Sequence, residues 1–118
     1  MNKDLLLNNG VNVDASLEIL GDMDMYNETM SDFLDEVEEK VESIKAYKEV
    51  GDMSNYAIQV HSLKSDSKYL GFTTLAELAY NHEMASKSND VGYVNDNFES
   101  LMTEANRIIS LCKEYMGW

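Results

Sequence analysis

Toward the end of the chain, Val94, Phe98, Leu101, Ala105, Ile108, Cys112 and Tyr115 follow one another at alternating steps of four and three residues. Such positions share one side of an α-helix, where each residue advances about 100° around the axis. A half-buried strand would need alternation at every second residue instead. The seam therefore predicts a long amphipathic helix that needs partners to cover it, and Asn89-Asp90 stands just ahead as an N-cap. The same pattern recurs upstream. Tyr26, Met30, Phe33, Leu34, Val37, Val41 and Ile44 line a stretch from Met23 to about Tyr47, whose other faces are crowded with Asp35, Glu36, Glu38 and Glu39. Gly51 breaks it and Asp52 caps the next, where Met53, Tyr56, Val60, Leu63, Ser67 and Leu70 share a side before Gly71 stops the helix. A fourth stretch follows a Thr73-Thr74 cap, carries Leu75, Leu78, Ala79, His82 and Ala85 on one face, and ends at Lys87-Ser88-Asn89.

Four helices joined by very short connections imply antiparallel neighbours. The expected fold is all-α, an antiparallel up-down-up-down four-helix bundle. The absence of proline agrees, since no ring geometry forces a break. A short extra N-terminal helix is expected over Asp14 to Leu20, stopped by Gly21. Residues 1–12, with Asn8-Asn9-Gly10, read as an arm, which leaves residues 13–118 as the bundle domain. A length of 118 residues leaves no room for a second domain.

Charge narrows the function. Acids outnumber bases 22 to 9, a net charge of −13. Nucleic acid is disfavoured as a partner, because phosphate contacts need clustered Lys and Arg, and an anionic membrane surface is disfavoured for the same reason. No apolar run approaches the ~20 residues that cross a bilayer. The N-terminal apolar segment, Leu5-Leu6-Leu7, is too short for a signal peptide. A single cysteine, Cys112, excludes an internal disulfide framework and a cysteine-built zinc site. The expectation is a cytoplasmic domain that works as a monomer.

One stretch does not read as core. On the wheel of the third helix, His61 falls roughly 130° from the centre of the apolar stripe, facing water. Lys64, Ser65 and Lys68 cluster along the same line. The plainer reading is an ordinary solvated face. Against it stands local charge, since Tyr56 to Leu70 is basic in an otherwise acidic chain. If the third and fourth helices turn about Gly71-Phe72-Thr73, residue 61 stands level with about residue 83, which makes Glu83 a hydrogen-bonding candidate for the imidazole. As a surface pair it would contribute ~1 kcal/mol or less. His82 lies on the apolar seam of the fourth helix and reads as a hydrogen-bonded core or boundary residue. Neither histidine completes a Glu-x-x-His ligand motif, because positions 58 and 79 are Ile58 and Ala79.

The run His61-Ser62-Leu63-Lys64-Ser65-Asp66-Ser67-Lys68-Tyr69-Leu70-Gly71 resembles the signature of histidine-containing phosphotransfer (HPt) domains. Leu75-Ala76-Glu77-Leu78-Ala79 with Glu83 further on, Leu20-Gly21-Asp22, Phe33-Leu34 and Gly51-Asp52 also match, so the resemblance covers about residues 14–115. It implies a four-helix bundle whose exposed histidine accepts and donates a phosphoryl group in a two-component phosphorelay. Carried over position by position, His61 is the phosphorylated residue, Lys64 its electrostatic partner and Glu83 a hydrogen-bond partner of the ring. Ser65 stands where the family keeps a small residue so that a partner can approach. Three positions depart from the common pattern: Ser65 for glycine, Val60 for alanine, and Lys68 for a small residue, which adds bulk and charge to the docking face. The implied partners are a response-regulator receiver domain and a hybrid sensor histidine kinase, with Mg²⁺ on the receiver and no cofactor of the chain's own.

The chemistry suits the residues. Neutral imidazole is abundant near pH 7; Nε2 is the expected attacker, with Nδ1–H held by Glu83. Lys64 supplies an ammonium for the charge spread over the phosphoryl oxygens. No Gly-rich phosphate loop or acidic Mg²⁺ motif is present, so the chain reads as a phosphoryl carrier rather than a kinase. Three alternatives are a receiver-docking module that transfers nothing, a metal or redox bundle, and a kinase dimerisation bundle, which normally adjoins an ATP-binding domain.

Overall fold

Three aspartates mark where long helices begin. Asp22, Asp52 and Asp90 each accept a hydrogen bond from the backbone N–H three residues on, at Met25, Asn55 and Tyr93, which satisfies one of the donors a first turn leaves free. The computed structural model describes residues 1–118. They form six helices and no strand: α1 (Lys3–Asn8), α2 (Val13–Leu20), α3 (Met23–Val50), α4 (Met53–Leu70), α5 (Thr73–Lys87) and α6 (Val91–Met116).

The helical seams bury as their spacing requires. Tyr26, Met30, Ile44, Tyr56, Val60, Leu63, Leu70, Leu75, Ala79, Val94, Leu101, Ala105 and Cys112 are all inaccessible to solvent. Leu78 and Phe98 lie against this core only partly covered. Each of the four long helices packs on two others, α4 between α3 and α5, and α6 between α5 and α3. Side-chain contacts tie these neighbours together. Tyr26 Oη donates to the Leu70 carbonyl at 2.7 Å, while Lys40 meets Asp66 at 2.6 Å. On the opposite side, Tyr115 Oη donates to Asn27 at 2.6 Å and the Lys48 ammonium lies 4.8 Å from the centre of the Phe98 ring. No helix is long and apolar enough to cross a membrane.

Two local expectations are corrected. Residues 1–12 are not simply an arm, because α1 occupies Lys3–Asn8. Asn2 caps it through Asp4 N–H, Leu6 is fully buried, and Arg107 on α6 donates to the Asn9 carbonyl at 3.1 Å. The bundle thus carries two short preceding helices. Nor does a threonine cap α5. Phe72 holds the cap position without a side-chain bond, and its buried ring sits 5.5 Å from that of Phe33. Burial of an aromatic ring sets this turn. Gly71 completes it at φ +82°, where a Cβ would collide with the Asn12 carbonyl. The Asn12 N–H donates to the Gly71 carbonyl at 2.9 Å, which pins the start of α2 to the α4–α5 turn.

Candidate functional site

Two neighbouring residues on α5, His82 and Glu83, are both buried, at 1% and 2% exposure. Their side chains point in different directions. The His82 ring turns into the core, where Nε2–H donates to the Asn97 carbonyl at 3.1 Å and Nδ1 accepts from Tyr56 Oη at 2.9 Å. The carbonyl can only accept, so this pair of bonds defines a neutral tautomer. Burial holds the His82 pKa below its ordinary value, against the raising effect of the bond to Asn97. With both nitrogens engaged, His82 has no free lone pair for a metal or a phosphoryl group.

Glu83 turns the other way, toward α4. Its Oε1 accepts from Lys64 Nζ at 2.7 Å. Its Oε2 accepts from both His61 Nδ1 and Lys87 Nζ, each at 2.7 Å. Burial pushes this carboxyl up, but the hydrogen bonds from Lys64, Lys87 and His61 outweigh it and hold the pKa at about 2. Glu83 is therefore an ionised acceptor at any neutral pH. His61 must present Nδ1–H to it, which in the neutral ring puts the lone pair on Nε2, and the structure gives Nε2 no protein partner. The imidazole side chain is 55% exposed.

The site is a net cation. One carboxylate faces two ammonium groups, so with a neutral ring one positive charge is left over for an incoming anion. Lys64 differs from the residue the wheel suggested: its side chain is only 13% exposed, and the ammonium also lies 5.5 Å from the centre of the Tyr80 ring. Ser65 is half-buried and Lys68 exposed, one and two turns beyond His61 on α4. A groove of about 510 Å³ opens beside the ring, lined by Ala57, Ile58, His61, Glu83, Ser86 and Lys87 among others. Ile58 in that lining is exposed, and Tyr80 and Met84 are exposed apolar side chains on α5.

Level-matching across the α4–α5 turn placed Glu83 at the right height but at the wrong depth. Glu83 is interior rather than a surface acid, which raises its energetic weight. Lys87 was missed. The signal was available, since it stands four residues after Glu83 on one helix face. Lys68 does not join the cluster on Glu83. No group of three or more His, Cys, Asp or Glu side chains is placed to hold a metal ion.

The Hpt domain family model matches residues 28–114. Among solved structures, the chain is similar to the HPT domain from an Hpt sensor hybrid histidine kinase of Shewanella, with a TM-score of 0.82 and 24% identity over 92% of this chain and 94% of that one. At that identity the likeness speaks for the fold. No curated protein matches the chain.

Proposed function

The chain belongs to the Hpt domain family, and from that premise we propose that it is a phosphoryl carrier of a phosphorelay, with His61 as the residue phosphorylated. The observation that carries this reading is the tautomer. Glu83 takes Nδ1–H at 2.7 Å, so that in the neutral ring the lone pair lies on Nε2, on a side chain that is 55% exposed. In this reading α3 to α6 run up-down-up-down, and the bundle serves to hold that ring against its carboxylate.

The Nε2 lone pair attacks phosphorus of an aspartyl phosphate on a receiver domain. An N–P bond forms, and the P–O bond breaks with its electron pair leaving on the receiver's carboxylate. The imidazole becomes cationic without losing its Nδ1 proton, and Glu83 stabilises that charge. Lys64 offers an ammonium to the phosphoryl oxygens, which carry charge in a loose transition state. The same steps in reverse deliver the group to a second receiver. Both Glu83 oxygens are taken by N–H donors, so Mg²⁺ is assigned to the receiver, not to this chain. Ser65 and Lys68, with Ile58 and Met84, form the docking face for a receiver from a response regulator or a hybrid sensor kinase, in the cytoplasm. The chain acts as a monomer.

Incubation with a receiver labelled at its aspartate and supplied with Mg²⁺ tests the reading. Acid-labile, alkali-stable label should appear on this chain and vanish in His61→Gln. Binding without label would leave a docking module instead.

A further inference from the structure

Lys87 lies outside the pattern of residues that carries the HPt resemblance, yet it touches the atom on which the state of the His61 ring depends. Its ammonium donates at 2.7 Å to Glu83 Oε2, the same oxygen that accepts from His61 Nδ1. Lys64 has the other oxygen to itself. Among the other titratable groups on α4 and α5, Asp52 pairs with Asn55, Asp66 with Lys40, and His82 with Tyr56 and Asn97, while Lys68, Tyr69, Glu77 and Tyr80 make no hydrogen bond or ion pair with His61 or Glu83. The charges that face the ring are therefore Glu83, Lys64 and Lys87.

A buried carboxylate beside an imidazole favours the protonated ring, and protonation at Nε2 removes the nucleophile. A second cation on the same oxygen opposes that, because it draws charge from the acceptor and repels an imidazolium. With Lys87 in place, a protonated ring would set three positive charges around one carboxylate. We infer that Lys87 is a positioning residue for phosphoryl transfer: by sharing Glu83 Oε2 with His61 it lets the carboxylate fix the Nδ1–H tautomer without drawing a second proton onto Nε2. Its side chain is 57% exposed, so it can also turn outward when the phosphorylated ring needs the whole carboxylate. This assignment rests on the proposed role of His61.

The plainer alternative is an i,i+4 ion pair that merely tethers the end of α5. The two separate by experiment. In Lys87→Met the NMR titration midpoint of the His61 ring should move up by roughly half to one pH unit, the scale expected for loss of a like charge two hydrogen bonds away. Single-turnover transfer from a phosphorylated receiver should fall about three- to tenfold at pH 6 and stay within about twofold of wild type at pH 8.5, well above the ordinary imidazole range. Lys87→Arg, which keeps the charge, should restore both. An unmoved or lowered midpoint, or an equal loss of transfer at both pH values, would overturn the inference. Failure of the wild-type chain to take label would remove the phosphocarrier reading instead, and the titration would still report whether Lys87 acts on the ring.

Discussion

Glu83→Gln keeps the shape of a buried side chain while deleting the charge on which two lysines and the His61 ring converge. The structure sets the size of the effect. The carboxyl is held at about 2 against an ordinary 4.5, and a gap of that size corresponds to at most roughly 3–4 kcal/mol of folding stability at pH 7. Lys87 is 57% exposed and can turn to water when its partner is neutral, so the expected loss is about 2 kcal/mol, below the roughly 3–5 kcal/mol for removing one partner of a fully buried pair. A folded-state pKa below the unfolded one contributes stability that is complete above about pH 4.5 and is lost as pH falls through about 2. Urea denaturation of wild type and variant at several pH values should therefore show a gap of about 2 kcal/mol at pH 7. It should narrow below pH 4.5 and nearly close at pH 2. A gap below about 0.5 kcal/mol at pH 7, or one independent of pH, would refute the electrostatic argument.

Glu83→Gln should also lower the His61 titration midpoint in NMR, because the carboxylate that favours the protonated ring is gone while both lysines remain; an unmoved midpoint would put the ring's partner elsewhere. Lys64→Ala should slow single-turnover transfer at saturating receiver about tenfold or more, with receiver affinity changed much less. The reverse pattern would make Lys64 a docking residue. Ser65→Arg should block transfer while circular dichroism stays that of the wild type, since Ser65 is half-buried beside the ring; wild-type transfer would move the docking face. His61→Gln should melt within ~0.5 kcal/mol of wild type, as expected for an exposed side chain.

The four long helices were legible because each buries one unbroken stripe, and a stripe at steps of three and four admits no other regular structure. The starts at Asp52 and Asp90 were legible because side-chain caps are local chemistry, whereas Asp22 was read only as part of the family resemblance. Where a non-local contact sets the structure, the sequence was silent. Helix α1 is six residues long, too short to display a period, and it persists because Leu6 is buried and Asn9 is tied to Arg107. The Thr73-Thr74 pair looked like a cap, but Phe72 enters the core against Phe33 and supplies the turn instead. At the site, His61 and Glu83 could be matched in height from the helical rise. The depth of Glu83 could not, because it depends on how closely α4 and α5 approach. Lys87 went unread because a lysine on a polar helix face looks like any other until its acidic neighbour is known to be buried.

The account rests on His61 Nε2 being the atom that takes the phosphoryl group. The direct measurement is ³¹P and ¹⁵N NMR of the ¹⁵N-histidine-labelled chain after transfer from a phosphorylated receiver. The account predicts one phosphohistidine, with phosphorus coupled to Nε2 of His61 and its Nδ1 still protonated. Phosphorus on Nδ1 of His61, on His82, or on no histidine would contradict it.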